Sequence, residues 1–444
     1  MLSTARARLQ ALGRPFRLLL ISDVLMLLSL MVSHVAVPWW VAHEGGAQDL
    51  ALYAALLALV SFVALPLLSP LGDRYSKRTL ITVGMAAMLV ESIALAALAQ
   101  AGIYHVALII GLQIISVVAM AVIMPASFSI AAELLPPDQL TEGLGYQKSA
   151  QAIGRLIGPV LGGAALAAAD TAFALWLLVA LMVPATALAS RIETPTKPVR
   201  RHSRAAWMRD LRAGLAAKWQ IPMERGWSFV SFLVMVFFVP GVGMLVPLKV
   251  QSLGLSGAWL GACEAGLSAG MLIGSLGLST RIADRVGRFN ASFGSILGEG
   301  LCLAVMGLTH QPWLMVLAFT GFGLCIATVT MVGHTHRMLA MPPDFRARMT
   351  AVNMMVMQVA GTLGPGLAGL GLMRWHVDQV YLLFGMGLFV VGLGYMRVPG
   401  YKQFLNLPHD QAQGLYGREH PQLFRTFPDS VNVAPDKQSN GSSR

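Results

Sequence analysis

Hydrophobic residues in this chain gather in long, nearly uninterrupted runs of about 20 residues, separated by short polar links. A run of that length crosses the apolar core of a bilayer as a helix, at a rise of about 1.5 Å per residue. The pattern predicts twelve spans, at residues 16–41, 50–71, 79–99, 105–132, 147–168, 172–190, 227–248, 257–279, 290–308, 313–335, 350–372 and 378–396. A transmembrane barrel is excluded, because its strands alternate apolar and polar residues over about 10 positions. The basic start MLSTARARLQALGRPFR imitates the head of a secretion signal. The apolar run behind it is too long for one and lacks a small-residue cleavage site, so it is read as span one. The chain is thus an all-α membrane protein.

The links are short except for residues 191–226, a basic stretch carrying Trp207, Trp219 and Trp227. Within it, 207–219 is expected to lie as an amphipathic helix at the membrane interface. Polar residues dominate after Arg397, and Pro, Gly, Ser and Asn accumulate towards the end, so 397–444 is expected to be largely disordered. This divides the chain into a first six-helix half (1–190), a linker (191–226), a second half (227–396) and a tail.

Composition supports the same class. Apolar residues make up 56% and charged residues 12%, whereas soluble domains carry about 25% charged residues. The net charge of +11 would suggest nucleic-acid binding in a soluble protein, but its distribution argues for membrane topology. With the N-terminus inside, 29 Lys and Arg residues fall on the inner links and ends, and only Lys249 and Arg374 on the outer links. That asymmetry predicts twelve spans with both termini cytoplasmic, and it places Trp39 and Trp40 in an outer aromatic belt. Cys263, Cys302 and Cys325 show neither pairing nor metal spacing, and no cofactor is expected.

The chain also repeats itself. QAIGRLIGPVLGG at 151–163 aligns with MQVAGTLGPGLAG at 357–369, and LPPDQL at 135–140 with MPPDFR at 341–346, both 206 residues apart. Asp73-Arg74 and Asp284-Arg285 make a third pair, 211 apart. Two homologous six-helix halves in parallel arrangement follow, with a binding site expected at their interface.

The loop SPLGDRYSKR at 69–78 resembles the signature loop of the major facilitator superfamily, with Ser69 and Ser76 standing where Gly is usual. Its Asp73, Arg74, Lys77 and Arg78 are intact, and Asp284 and Arg285 lie in a degenerate second copy, ADRVGR. A carboxylate there can face a helix N-terminus, and the arginines can pair with a carboxylate such as Glu133. Such contacts would form when the halves close on the inside, giving a gating loop. Plain positive-inside anchoring is the alternative. Span five carries Gly154, Gly158, Pro159, Gly162 and Gly163 in a pattern resembling that of proton-coupled efflux members of the superfamily. Small residues let helices approach closely, and proline permits a kink. The wording AELLPPDQL looks most like the macrolide and enterobactin-type siderophore exporters.

The resemblance implies the major facilitator fold and a secondary transporter in the bacterial inner membrane. It would export a small amphipathic molecule, a siderophore or a macrolide-like drug, by proton antiport. Its partners would be the small-molecule substrate, protons and the lipid bilayer, with no nucleic acid, and it would act as a monomer. Import by symport or facilitated diffusion is an alternative. From other classes come a lipid flippase or scramblase, or a non-transporting receptor. Enzymatic motifs and a Walker loop are absent.

Ionisable residues inside spans are functional candidates. Asp23, about two turns into span one, is the expected proton-coupling acid, since a carboxyl in low dielectric can load and release protons near neutral pH. Glu264 in span eight, beside Cys263, Ala265 and Gly266, is the second candidate. Arg155 would pair with Asp23, hold an anionic substrate or snorkel to the cytoplasm. Glu91 and Glu299 are assigned structural or interfacial roles. His34, His334 and His336 can titrate near neutral pH, but 334 and 336 point to different helix faces and form no metal pair. Phe232, Phe237, Phe238 and Met244 are expected to line an adaptable apolar cavity.

Overall fold

The computed structural model describes residues 12–68, 75–193, 212 and 214–424. Among these the chain is helical, without strands. Spans one and two form one helical element, Arg14–Leu68, broken at Gly46 (φ 66°, ψ −160°). Only glycine takes that conformation cheaply, and it lets the chain turn back between 14–45 and 47–68. Spans three to six are Lys77–Gln100, Val106–Leu134, Pro137–Ala168 and Thr171–Ser190. Their starts carry ordinary caps. The Ser76 side chain accepts from the Thr79 amide, and Asp170 Oδ1 from the Phe173 amide at 2.8 Å.

The second half opens with Pro222–Gly243, which begins five residues earlier than the hydrophobic pattern predicts, and continues in the short helix Leu245–Ser252. Span eight runs Gly257–Ile273, passes through a π-helical turn at Gly274–Leu278 and ends in Ser279–Val286. Span ten has the same construction, with Pro312–Val329, a π-turn at Thr330–His334 and Thr335–Ala340. Spans nine, eleven and twelve are Arg288–Leu308, Pro343–Leu372 and Val377–Gly392. Large apolar side chains such as Val83, Val90, Leu276, Leu317 and Val390 point outward, which suits a lipid surround and no aqueous one.

The sequence repeat is visible in the packing. A Cβ on Gly158 of span five would lie 2.4 Å from Cβ of Met31 in span one. A Cβ on its counterpart Gly364 in span eleven would lie 2.5 Å from the Val236 carbonyl oxygen and 3.0 Å from the Pro240 ring, both of span seven. Each half therefore seats its fifth helix on its first through the glycine of the same Gly-Pro pair.

Three expectations are corrected. The segment after Arg397 is packed as far as residue 424. Short helices Tyr401–Asn406, His409–Ala412 and Leu415–Glu419 bury Tyr401, Phe404, Leu405 and Tyr416. Aromatic residues in this stretch find a core, which a reading by overall polarity overlooks. Residues 214–220 of the linker are helical, but Gly214, Ala217 and Lys218 are buried, and Gly214 rests on the backbone of Arg348. Part of the expected interfacial helix is thus docked on protein, with Trp219 exposed. Trp40 is buried edge-on against Tyr104 and does not stand in a lipid-facing belt.

Candidate functional site

The two halves touch closely at the end of the bundle opposite the basic loops. Gly163 of span five meets Gly261 of span eight, where a Cβ on Gly163 would stand 2.5 Å from the partner's Cα. Gly257 packs on Leu166, and Gly369 on Ala51. Gln251 Nε2 donates to the Trp39 carbonyl at 2.9 Å. Deeper in the bundle, Gln358 Nε2 donates to Ser61 Oγ at 2.5 Å, and Ser268 Oγ to the Arg155 carbonyl at 3.1 Å.

Between the halves lies a cavity of about 450 Å³. Spans one and two contribute His34 and Tyr53, and spans seven and eleven contribute Met235, Phe238, Met357 and Gln358. Of the residues expected to line an apolar cavity, Phe238 and Met244 do so. Phe237 instead packs edge-on against Phe384 at 5.5 Å. The wall is apolar and aromatic, with a few polar groups, as small-molecule sites usually are.

Asp23 is buried inside the first half, away from that wall. Its Oδ2 accepts from Ser127 Oγ at 2.7 Å and from Gln147 Nε2 at 2.8 Å, while its Oδ1 has no hydrogen-bond partner among the described residues. Spans four and five supply these donors, and both are neutral. Arg155 is not among the partners of Asp23. It is exposed, and its charge reaches His34 on the cavity wall. Glu264 is half-buried and has no hydrogen-bond or ion-pair partner among the described residues; its charge acts on Cys263 and Tyr381. Glu91 accepts from Ser116 Oγ at 2.9 Å.

The span-five glycines divide their work. Gly154, Gly158 and Gly162 lie on Leu27, Met31 and Val32 of span one, whereas Gly163 faces the other half. Beside Gly163, the Pro159 carbonyl approaches Gly261.

Asp73 and Arg74 lie outside the described residues. Lys77 forms an ion pair with Glu133, and Arg78 donates to the Ser190 carbonyl at 2.8 Å. The partner of Glu133 is thus a lysine of its own half, so this contact ties spans three and four together and does not itself mark closure between halves. Asp284 and Arg285 are exposed.

A larger buried cluster escaped the sequence reading. Arg337 at the end of span ten grips Glu224 in a two-pronged pair, Nε to Oε1 at 2.8 Å and Nη2 to Oε2 at 2.6 Å. Tyr416 from the tail donates to Glu224 Oε1 at 2.6 Å. The guanidinium lies 3.4 Å from the Trp227 ring centroid. Nearby, Lys218 Nζ donates to Asn353 Oδ1 at 2.9 Å. Burial pushes the Lys218 ammonium down to about 8, with Arg337 acting in the same direction and Glu224 against it. Burial and then the Glu224 charge hold the Tyr416 phenol well above its usual range. Glu224 falls where hydropathy assigns the linker, and Arg337 reads as one more inner-face cation, which is why neither stood out. At the opposite end Lys249, fully buried, pairs with Asp378.

The sequence model of the Major Facilitator Superfamily matches residues 19–335 and again 278–418. The chain belongs to this superfamily. It is a multi-pass membrane transporter, and no enzymatic role is expected of the family. Among solved structures it is similar to the nucleoside transporter NupG, at 14% identity and a TM-score of 0.71, covering 88% of this chain and 100% of that one. It is similar to a bacterial homologue of the iron transporter ferroportin in an inward-facing state, at 14% identity and TM-score 0.69, covering 86% and 98%. A bacterial homologue of the human lysosomal transporter Spinster gives 14% identity and TM-score 0.65, covering 89% and 99%. At such identities the likeness is one of fold. No match was found among curated proteins.

Proposed function

We propose that this superfamily member exports a small amphipathic organic molecule, of the siderophore or macrolide-like drug kind, by proton antiport with alternating access. The basic end faces the cytoplasm of a bacterial cell in this reading. The structure is then closed outside by Gly163 on Gly261 and Gly369 on Ala51, with the apolar cavity lying between the same two halves. Opening the outer end separates those glycine contacts while the gating loop, with Asp73 and Arg74, closes the inner end.

Asp23 is the proton carrier. The observation that carries this assignment is a buried carboxyl with two neutral donors and, among the described residues, one free oxygen and no cation bonded to it. A buried charge without a counter-ion is costly, so such a group is suited to exchange a proton in step with movement of the helices around it. Ser127 and Gln147 belong to spans four and five, so rearrangement of these spans alters the donors to Asp23. Glu264, unpartnered in the second half, is the reserve site.

Proteoliposomes containing the purified protein and a pH-sensitive dye test the reading. Enterobactin or a macrolide added on the substrate side is expected to start a proton flux that protein-free liposomes do not show. Movement of either molecule without a proton flux would remove antiport.

A further inference from the structure

Glu299 in span nine is 4% exposed, and its carboxylate has no hydrogen-bond or ion-pair partner among the described residues. It lines a second cavity of about 200 Å³, bounded by spans seven, nine, ten and eleven and by the segment leading into the tail. The walls include Phe238, Tyr395 and Tyr401, with Ser231 bonded to Tyr395 at 2.7 Å. The positive groups nearby are already engaged. Arg337 is held by Glu224, and Lys218 by Asn353. His334, also on the wall, packs edge-on to Trp227 at 5.7 Å. Glu299 is therefore the one unpartnered carboxyl facing this space among the described residues. Met235, Phe238 and Met357 line both this chamber and the cavity between the halves. Two unbranched methionines make an adaptable partition that rotamer changes can open.

We infer that this chamber is a binding site for the ammonium head of an amphipathic amine. The head group pairs with Glu299 and lies against Phe238, Tyr395 and Tyr401, while the apolar body occupies the central cavity. A carboxylate in a buried site is stabilised by a counter-ion, and aromatic faces favour a desolvated organic cation. The chamber is smaller than the roughly 300–1,000 Å³ of sites that enclose a whole drug-sized molecule. It suits a head group, and the larger cavity beyond the methionines suits the rest. The inference rests on the central cavity being the substrate site, and it favours amine-bearing cargo over an anionic siderophore.

The test measures binding, so it stands apart from transport. Benzyltrimethylammonium is titrated calorimetrically into the detergent-purified full chain, with benzyl alcohol as the neutral aromatic control. The cation is expected to bind at least tenfold more tightly than the alcohol, and Glu299→Gln to abolish that preference, while Glu91→Gln keeps it. Leu57→Trp, which fills only the central cavity, is expected to weaken both probes. Loss of binding with Leu57→Trp but not with Glu299→Gln would overturn the chamber and leave the central cavity standing. No effect of either variant would remove both. Because Glu299→Gln can disturb folding, the wild-type chain is also treated with dicyclohexylcarbodiimide and its modified carboxyl located by mass spectrometry. Protection of Glu299 by benzyltrimethylammonium, and none by benzyl alcohol, is expected. Equal modification with and without the cation would contradict the inference.

Discussion

Asp23 and Glu224 are both buried carboxylates, each on the first helix of its half, yet they are set up in opposite ways. Glu224 meets the full fork of Arg337 and a tyrosine hydroxyl from the tail. Asp23 meets a serine and an amide and keeps one oxygen free. A carboxylate clasped by a guanidinium is charged in every step of a cycle and acts as a fastening, here joining spans seven and ten to the tail. A carboxylate held only by neutral donors has no such commitment. In the proposed mechanism, the position of the cation separates Glu224 as a structural acid from Asp23 as an exchangeable one.

The contrast breaks most visibly at the fastening. Arg337→Met strands Glu224 without its cation, and loss of one partner of a buried pair costs about 3–5 kcal/mol. The variant is expected to melt well below wild type by scanning fluorimetry, or to fail to accumulate. Adding Glu224→Gln should recover much of that loss, and a double variant no more stable than Arg337→Met would show that the pair is not the origin. Gly158→Leu comes next. Its side chain would meet Met31 head-on, at a cost of roughly 1–3 kcal/mol of overpacking, and export should fall sharply at normal membrane abundance. Unchanged export would mean that span five does not need its close seat on span one.

The smallest effect concerns Lys218. Its ammonium titrates at about 8 in the folded chain against 10.5 in the open chain. Between those values the unfolded state holds the proton and the native state has lost it, so stability rises with pH across the window. An increase of about 1 kcal/mol per pH unit is expected for wild type inside this range, compared with Lys218→Met, which should lack it. Identical pH profiles of the melting temperature would show that Lys218 is not buried as described.

Most of the fold was legible in the sequence because bilayer thickness sets helix length and the Lys/Arg bias sets alternation. Gly158 and Gly364 were readable as equivalents because identical packing demands left identical residues. Asp23 could be found as a lone acid in an apolar run, but its donors could not, since Gln147 and Ser127 lie 124 and 104 residues away in sequence. Glu224 and Arg337 were hidden for a different reason. Hydropathy treats a charge near a span end as solvated, and only the folded tail, through Tyr416, closes over them. Glu299 was given a structural role from its helix position, whereas the cavity beside it emerges only from the packing of several helices.

The central claim is that Asp23 carries the coupling proton, and Asp23→Asn tests it most directly. Asparagine keeps the shape and hydrogen-bonding size of the side chain but cannot exchange a proton. The measurement is accumulation of a transported macrolide or siderophore in inverted vesicles under an imposed pH gradient, set beside counterflow without a gradient. Gradient-driven accumulation is expected to disappear in Asp23→Asn while counterflow persists, and Asp23→Glu is expected to retain some activity with a shifted pH optimum. Full gradient-driven accumulation by Asp23→Asn would contradict the account and move the proton to Glu264.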